Sequence, residues 1–259
     1  MEVQGDNRNE NVYIIDNAFY IPQLKRYRRI WLYLPPEYYT TKKRFPVLYM
    51  HDGQNLFDDA AAFSEEWCVD ETINAAKDKC IVVGIDNSAA HRINEYSFHD
   101  NQHGRGEGRQ YLEFIVHTLK PYIDSTYRTL KEPAFTGIAG SSMGGLISFY
   151  AGLYFPQVFG ILGVLSPSFW LVPHVFDETK HLLEKNNNVV QRYFFYAGGQ
   201  EGENMDKHVR SMVKILKGYS NMKVKQILNP GGTHSEGHWR EHFPVFFQWM
   251  MSGMKARKL

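Results

Sequence analysis

Short runs of β-branched and aromatic residues alternate along the chain with segments of helical periodicity. The first run, Arg29–Leu34, alternates in character and stops at Pro35-Pro36, which predicts an outer strand. Later runs are mostly apolar, as expected for strands that are buried on both faces. These predicted strands are Pro46–Met50, Cys80–Ile85, Ala134–Ala139, Gly160–Leu165, Arg192–Ala197 and Val224–Leu228.

Helical patterns fall between these strands. Tyr111 to Leu119 places residues on one face at spacings i, i+3, i+4, i+7 and i+8, and Val209–Leu216 does the same. Phe243–Met251 predicts a final apolar helix. Alternating strands and helices predict an α/β fold with a single, mostly parallel sheet and helices on both faces. Such sheets place their chemistry at the carboxyl ends of the strands.

Composition narrows the class of protein. The chain has 259 residues, 43% hydrophobic and 22% charged, which is typical of a globular protein. No Pro/Ser-rich linker divides it, so we predict one domain over residues 1–259. The net charge of +1 argues against a nucleic-acid partner. Cys68 and Cys80 lack metal-ligand neighbours and are predicted to be buried free thiols.

Membrane and targeting signals are not evident in the sequence. No run approaches the roughly 18 apolar residues of a membrane span, so we expect no membrane partner. The first residues are polar and lack the basic start and apolar core of a signal peptide. These features predict a cytoplasmic protein. The sequence says nothing about its oligomeric state.

A nucleophile motif follows the predicted strand Ala134–Ala139. Gly140-Ser141-Ser142-Met143-Gly144 reads Gly-x-Ser-x-Gly between a strand and an apolar helix, the context that gives this motif its meaning. The tight turn requires small flanking residues and exposes Oγ of Ser142, while the helix N-terminus stabilises negative charge. Ser142 is therefore the predicted nucleophile. Ser141 is the neighbouring alternative, but it lacks the flanking glycine pair.

A nucleophilic serine needs a base, and we expect the base after the last strand. His234 lies on the glycine-rich loop that directly follows Val224–Leu228, and His238 comes one helical turn later. We predict His234 as the base. The His-x-x-x-His spacing could bind a metal, but no third ligand is evident, so no metal site is predicted.

The orienting acid should follow the preceding strand. Glu201 is the first carboxylate after Arg192–Ala197, and it is the predicted acid. Glu203 and Asp206 begin a helix and stay open as alternatives, since acidic residues also favour helix N-termini for electrostatic reasons.

An oxyanion hole needs two N–H donors. One predicted donor is the backbone N–H of Met143, immediately after the nucleophile. The other is predicted in the loop after Pro46–Met50, most simply the N–H of Gln54. His51 and Asp52 in the same loop are interpreted as a structural turn rather than as catalytic groups.

Several segments together resemble the putative-esterase family (esterase D / enterochelin-esterase-like), a branch of the α/β-hydrolases. They span roughly Tyr27 to Met251 and are Met50–Asp58, Trp67 with Val69-Asp70, Gly84–Asn87, Arg92, Glu95-Tyr96, Gly140–Gly145, Ser166–Trp170, Gly198 with Glu201, and Gly232–Glu236 with Trp239. The resemblance implies the α/β-hydrolase fold, and it supports Ser142, Glu201 and His234 as a triad with Gln54 and Met143 as oxyanion donors.

Side chains near these strand ends are predicted to contact the substrate. They are Trp170, Arg92 and Tyr96, and the glycine-punctuated segment His99–Gly106 suits a binding loop. The family includes feruloyl, acetylxylan and siderophore esterases as well as mycolyltransferases. With about 25 residues between Leu165 and Gln191, little room is left for a cap, so an open site is expected.

The sequence thus predicts a serine carboxylesterase that works through an acyl-enzyme on small esters, such as acyl, feruloyl or acetyl esters of sugars. No cofactor is expected. An acyltransferase would share the acyl-enzyme and is the first alternative. A catalytically silent binding protein with a hydrolase fold is the second.

Overall fold

One eight-stranded sheet runs through the chain in the computed structural model, which describes residues 11–185 and 189–255. The strands are β1 (Val12–Ile21), β2 (Arg26–Tyr33), β3 (Val47–His51), β4 (Ile81–Ile85), β5 (Thr136–Ser141), β6 (Ile161–Leu165), β7 (Gln191–Gly198) and β8 (Met222–Asn229). Their order across the sheet is β1-β2-β4-β3-β5-β6-β7-β8. Pairing is parallel from β4 to β8 and antiparallel at β1–β2 and β2–β4.

Helices connect the parallel strands. Their bounds are α1 (Glu37–Thr40), α2 (Val69–Ala75), α3 (Arg92–Glu95), α4 (Gly108–Phe114), α5 (Lys120–Thr126), α6 (Met143–Tyr154), α7 (Val175–Lys185), α8 (Met205–Lys217) and α9 (Glu236–Lys255). A π-helical turn over Ile115–Leu119 joins α4 to α5. Short 3₁₀ turns cover Gly53–Asn55, Pro133–Phe135 and Phe169–Leu171.

The core lies on both faces of the sheet. The larger hydrophobic cluster is formed with α4 to α8, and the smaller one with α2 and α9. The central strands β3 to β6 have no exposed residue, because helices cover them on both sides. This arrangement confirms the predicted mostly parallel sheet with helices on both faces.

At the first edge of the sheet, one prediction is wrong and one strand was not predicted. The run predicted as an outer strand is β2, which lies second in the sheet between β1 and β4. The true edge strand, β1, was not predicted, because its pairing with β2 shifts register around Asp16 and its middle residues are exposed. These irregularities break the alternation that would have identified it.

The two cysteines differ in burial, and no described helix is suited to cross a membrane. Cys80 is buried and Cys68 is half-buried, and both are free. Among residues 11–185 and 189–255, no helix has the length and apolar character needed to cross a bilayer.

Helix α9 is fastened to the sheet by aromatic residues, so its packing can be tested. Phe246 is fully buried, and its ring centroid lies 5.4 Å from that of Phe194 in β7. We expect Phe246→Ala to lower the free energy of unfolding by about 3–5 kcal/mol in urea denaturation, since it leaves a cavity. Phe63→Ala is the matched control, because its ring is 85% exposed, and it should change stability by about 0.5 kcal/mol or less. Equal losses in the two variants would contradict this packing.

Candidate active site

Ser142 occupies a strained turn between β5 and α6. Its backbone has φ +58° and ψ −121°, a region that residues with a side chain rarely adopt. A Cβ at Gly140 would lie 2.9 Å from the carbonyl carbon of Gly144, and one at Gly144 would lie 3.1 Å from Oδ2 of Asp52. The turn therefore requires glycine on both sides, as the motif predicts.

The structure brings Ser142, His234 and Glu201 into one chain of hydrogen bonds. Nε2 of His234 lies 2.9 Å from Oγ of Ser142, and Nδ1 lies 3.0 Å from Oε2 of Glu201. The chemistry assigns the proton on Nδ1 to a bond with the carboxylate, which leaves Nε2 to accept from the serine. The Glu201 side chain is fully buried and that of His234 is 35% exposed. A solvent-accessible imidazole thus contacts a buried carboxylate.

Glu201 is held by groups that the nucleophile motif does not include. Its Oε1 accepts hydrogen bonds from Oγ of Ser166, at 2.7 Å, and from the backbone N–H of Gly198. The indole N–H of Trp239 donates to the same Ser166 hydroxyl at 2.9 Å, and the Trp239 ring meets the His234 ring edge to face, 4.9 Å between centroids. These contacts satisfy a buried carboxylate and fix its direction.

The alternative acids and base face other partners. Asp206 pairs with Arg210 at 3.7 Å, and Glu203 is exposed. Nδ1 of His238 lies 3.0 Å from Oγ1 of Thr233 and 3.1 Å from Oγ of Ser235. The geometry therefore favours Glu201 and His234 over their neighbours.

The two predicted oxyanion donors both stand at the starts of helical turns. Met143 is the first residue of α6, and Gln54 lies in the 3₁₀ turn that follows β3. Amides at such positions have no carbonyl partner within their own turn and can serve a ligand. The Gln54 side chain is fixed as well, since its Oε1 accepts from the N–H of Asn87 at 3.2 Å.

Asp52 anchors the segment that carries Gln54. Its carboxylate accepts two hydrogen bonds from Arg92, at 2.7 and 2.8 Å, and one from Nδ2 of Asn87 at 2.7 Å. Burial by itself raises the pKa of Asp52, but the guanidinium of Arg92 outweighs it and the pKa lies below its ordinary value. Asp52 thus stays a carboxylate that holds the turn, in agreement with a structural interpretation.

A cavity of about 630 Å³ opens beside Ser142 and His234. Its other walls are Arg29, Asp52, Gln54, Asn55, Ala61, Phe63, Asp86, Asn87, Ala89, Arg92, Ser141, Glu236 and Trp239. Arg29 is paired with Asp86 at 2.7 Å, as Arg92 is with Asp52. Burial and the nearby Asp52 charge raise the pKa of Glu236. The wall therefore combines apolar surface with polar side chains, and both of its arginines are paired with aspartates.

Of the three predicted substrate contacts, Arg92 lines the cavity, whereas Tyr96 and Trp170 do not. Arg92 lines the cavity, although its guanidinium is occupied by Asp52. Tyr96 is fully buried and packs against His51 and Tyr111, with ring centroids 5.2 and 5.1 Å away. The structure therefore moves Tyr96 from the cavity wall to the layer beneath it. Trp170 is 37% exposed in the turn after β6 and does not reach the wall.

The sequence did not predict a role for several other polar residues at this end of the sheet. Ser166 and Ser168 follow β6, and Oγ of Ser168 lies 3.4 Å from Oγ of Ser142. Asn87 and Glu236 lie in segments that carry the family resemblance but were assigned no role, and both line the cavity. The signal available for the serines was their position directly after a buried strand.

Sequence comparison identifies the family. Residues 21–250 match the family described as "Putative esterase". The chain belongs to this family. It is accordingly a carboxylesterase of the serine-hydrolase type, and the α/β-hydrolase fold described above agrees with that assignment.

The chain is similar in sequence to two bacterial proteins and in fold to a third. "Uncharacterized protein YbbA" of Bacillus subtilis (strain 168) is 28% identical over 239 residues, 86% of this chain and 92% of YbbA. An "Iron(III) salmochelin esterase" of Escherichia coli O6:H1 is 27% identical over 204 residues, 73% of this chain and 46% of that protein. A crystal structure of the BES protein from Bacillus cereus has a TM-score of 0.76 at 17% identity and covers 95% of this chain and 98% of its own. The last likeness is one of fold.

His51, beneath the site of the esterase, makes stability depend on pH. Its Nδ1 lies 3.0 Å from the Tyr111 hydroxyl, and within the described ranges its buried Nε2 has no hydrogen-bond partner. Burial, with a smaller contribution from Arg92, lowers the pKa of His51 to about 3, although Asp52 opposes the shift. In the unfolded chain the His51 imidazole therefore binds a proton as pH falls below about 6.5, whereas in the folded chain it stays neutral until the pH is much lower.

The sign follows from that lowered pKa. His51 contributes its full stabilisation above pH 6.5, and the contribution falls as pH drops from 6.5 toward about 3. We expect the free energy of unfolding of the wild type to fall by a few kcal/mol more over this window than that of His51→Gln, at about 1.4 kcal/mol per pKa unit. Urea titrations at several pH values measure the difference. His103→Gln is the control, because His103 is exposed, and its free energy of unfolding should depend on pH as that of the wild type does. The prediction is contradicted if the free energies of unfolding of wild type and His51→Gln depend on pH in the same way.

Proposed function

We propose that this esterase cleaves its substrate with Ser142 as nucleophile, His234 as general base and Glu201 as orienting acid. One observation carries the proposal: the His234 ring bridges Oγ of Ser142 at 2.9 Å and the buried Glu201 carboxylate at 3.0 Å. A serine hydroxyl is a weak nucleophile at neutral pH, and a base at this distance activates it.

The proposed reaction proceeds in two halves. His234 takes the proton of Ser142 as Oγ attacks the ester carbonyl carbon, and the N–H groups of Met143 and Gln54 stabilise the oxyanion. The tetrahedral intermediate then collapses, and the leaving alkoxide receives the proton from His234. Water, deprotonated by the same imidazole, attacks the acyl-enzyme and releases the carboxylic acid and free Ser142. In reactions of this type, the loss of one oxyanion donor raises the activation free energy by about 2.7–4 kcal/mol.

The cavity supports a small, polar and largely uncharged ester as the substrate. The guanidinium groups of Arg29 and Arg92 are committed to Asp86 and Asp52, so neither is free to bind a substrate carboxylate. Asn87 and Gln54 offer amide groups, and the exposed Phe63 offers an aromatic face. Acetyl and feruloyl esters of sugars fit this description. The salmochelin esterase relative adds siderophore esters as a class to compare with them.

The acyl-enzyme is shared by hydrolases and acyltransferases, and the geometry described here serves both. Hydrolysis is the proposed reaction. An acyltransferase would deliver the acyl group to an acceptor alcohol, and product analysis with a sugar acceptor distinguishes the two outcomes.

The nucleophile is tested by comparing two adjacent serines. Ser142→Ala should lower kcat for p-nitrophenyl acetate by about 10⁴–10⁶-fold, since the acyl-enzyme cannot form. Ser141→Ala keeps the Ser142 hydroxyl, and it should still be labelled by a fluorophosphonate probe, whereas Ser142→Ala should not be labelled. Labelling that disappears in Ser141→Ala and persists in Ser142→Ala would assign the nucleophile to Ser141.

The acid is tested with two nearby glutamates. Glu201→Gln replaces the acceptor of the His234 Nδ1 proton with an amide and should lower kcat by about 10⁴-fold, because the imidazole loses its orientation. Glu203→Gln is the matched control, since Glu203 is exposed, and it should keep wild-type kcat. Steady-state kinetics measures both. A loss confined to Glu203→Gln would transfer the role to that residue.

A further inference from the structure

Two histidines and one glutamate form a second polar cluster, outside the walls of the active-site cavity. His99 lies in the loop after α3, His174 immediately precedes α7, and Glu178 lies in the first turn of α7. One ligand-type atom from each lies within 4.8 Å of the other two. Nε2 of His99 is 3.0 Å from Oε2 of Glu178, and the two imidazole rings meet edge to face with centroids 4.2 Å apart.

The chain spacing explains how α7 presents two of these groups. His174 and Glu178 are four residues apart, and the N–H of Glu178 donates to the carbonyl of His174 at 3.0 Å. Residues at i and i+4 lie on the same side of a helical turn, so both side chains reach the loop that carries His99. The sequence did not reveal the cluster, because His99 and Glu178 are 79 positions apart.

The glutamate is already oriented by neighbours that leave room for a ligand. The Tyr154 hydroxyl donates to Oε1 of Glu178, and the Tyr150 hydroxyl lies 3.4 Å from Oε2. Metal-binding carboxylates are commonly held in this way by hydrogen-bonding partners of their own. The Glu178 side chain is 16% exposed and that of His99 is 34% exposed, so an ion can enter from solvent.

The backbone that carries His99 is fixed as well. Its carbonyl accepts a hydrogen bond from Oγ of Ser97 at 2.8 Å. Gly106 packs directly on this backbone, since a Cβ there would lie 2.6 Å from the carbonyl carbon of His99. The imidazole is therefore presented by a constrained segment rather than by a free loop tip.

We propose that His99, His174 and Glu178 form a binding site for a divalent transition-metal ion, with Zn²⁺ as the best match. Two imidazole nitrogens and one carboxylate oxygen are typical zinc ligands, and a water completes the tetrahedron. Zn–N and Zn–O bonds of about 2.0–2.1 Å place neighbouring ligand atoms about 3.3 Å apart, close to the 3.0 Å between His99 and Glu178. The His174 ring nitrogen lies within 4.8 Å of both other ligand atoms, so a rotation of its exposed side chain would bring it to the same ion.

The ion would join the His99–Gly106 segment to α7. The cluster shares no residue with the cavity wall, and the ion takes no part in ester cleavage. Its effect is to cross-link two connections of the sheet, which should raise the melting temperature when the ion is bound.

Direct metal titration tests the proposal. Chelator-treated protein is titrated with ZnCl₂ by isothermal calorimetry, and with CoCl₂ while the visible absorption of four-coordinate Co²⁺ is recorded. We expect one site per chain. His99→Ala and His174→Ala should each weaken Zn²⁺ binding by about 100-fold or more, beyond the 10–100-fold typical for loss of a ligand's supporting group. His103→Ala in the same loop and His181→Ala in α7 are matched controls, both exposed, and should bind as the wild type does.

His234→Ala separates this site from the active site, whose imidazole and carboxylate could also attract Zn²⁺. Stoichiometric binding that persists in His234→Ala and is lost in His99→Ala and His174→Ala supports the proposal. Binding that is absent from the wild type, or that survives both His99→Ala and His174→Ala, overturns it. Melting temperatures in the presence of chelator verify that each variant is folded. The readout does not depend on ester hydrolysis, so its result is independent of the proposed function.

Discussion

The first turn of α6 rests directly against the segment that follows β3, and the active site depends on this contact. At Gly144 the backbone comes so close to Asp52 and His51 that a methyl group would have to displace them. The strained turn at Ser142 and the turn that carries Gln54 are therefore positioned by one another. Asp52, with three charge-assisted or amide hydrogen bonds, keeps its side of the contact from moving. The proposed oxyanion donors, the N–H groups of Met143 and Gln54, would therefore need no rearrangement when charge develops in the transition state.

The parallel register supplies the other half of the geometry. β7 and β8 stay paired up to their last residues, Gly198 and Asn229. Beyond the strands, the N–H of Gln200 donates to the carbonyl of Gly232 at 2.9 Å, which keeps the two chain segments together. The loops that carry the proposed acid and base consequently leave the sheet side by side. Between them and β5 lies β6, whose end contributes Ser166 to the acid. A hydroxyl from an intervening strand thus links the two halves of the site.

Strand and helix character could be predicted from local pattern wherever burial is uniform. β4 and β6 are apolar throughout, and β3 is apolar up to His51. One steric constraint on the Ser142 turn, the close approach of Gly140 and Gly144, also acts within five positions. What the sequence could not supply are contacts between distant segments. Tyr96 follows β4, where a substrate contact is plausible, but the short helix before it turns its ring inward against His51. β1 escaped detection because its bulges break the alternation that periodicity relies on.

The Trp239 indole, which holds Ser166 and faces His234, belongs to the first turns of α9. The final helix is therefore both a wall of the hydrophobic core and the brace of the proposed acid and base. A partly folded chain in which the sheet has formed but α9 has not docked would display Ser142 on its turn without an oriented imidazole. In such a chain Ser142 would lack its general base and would not be acylated by an ester. Reactivity of the proposed nucleophile therefore requires α9 to be docked on the sheet, as does the smaller core cluster.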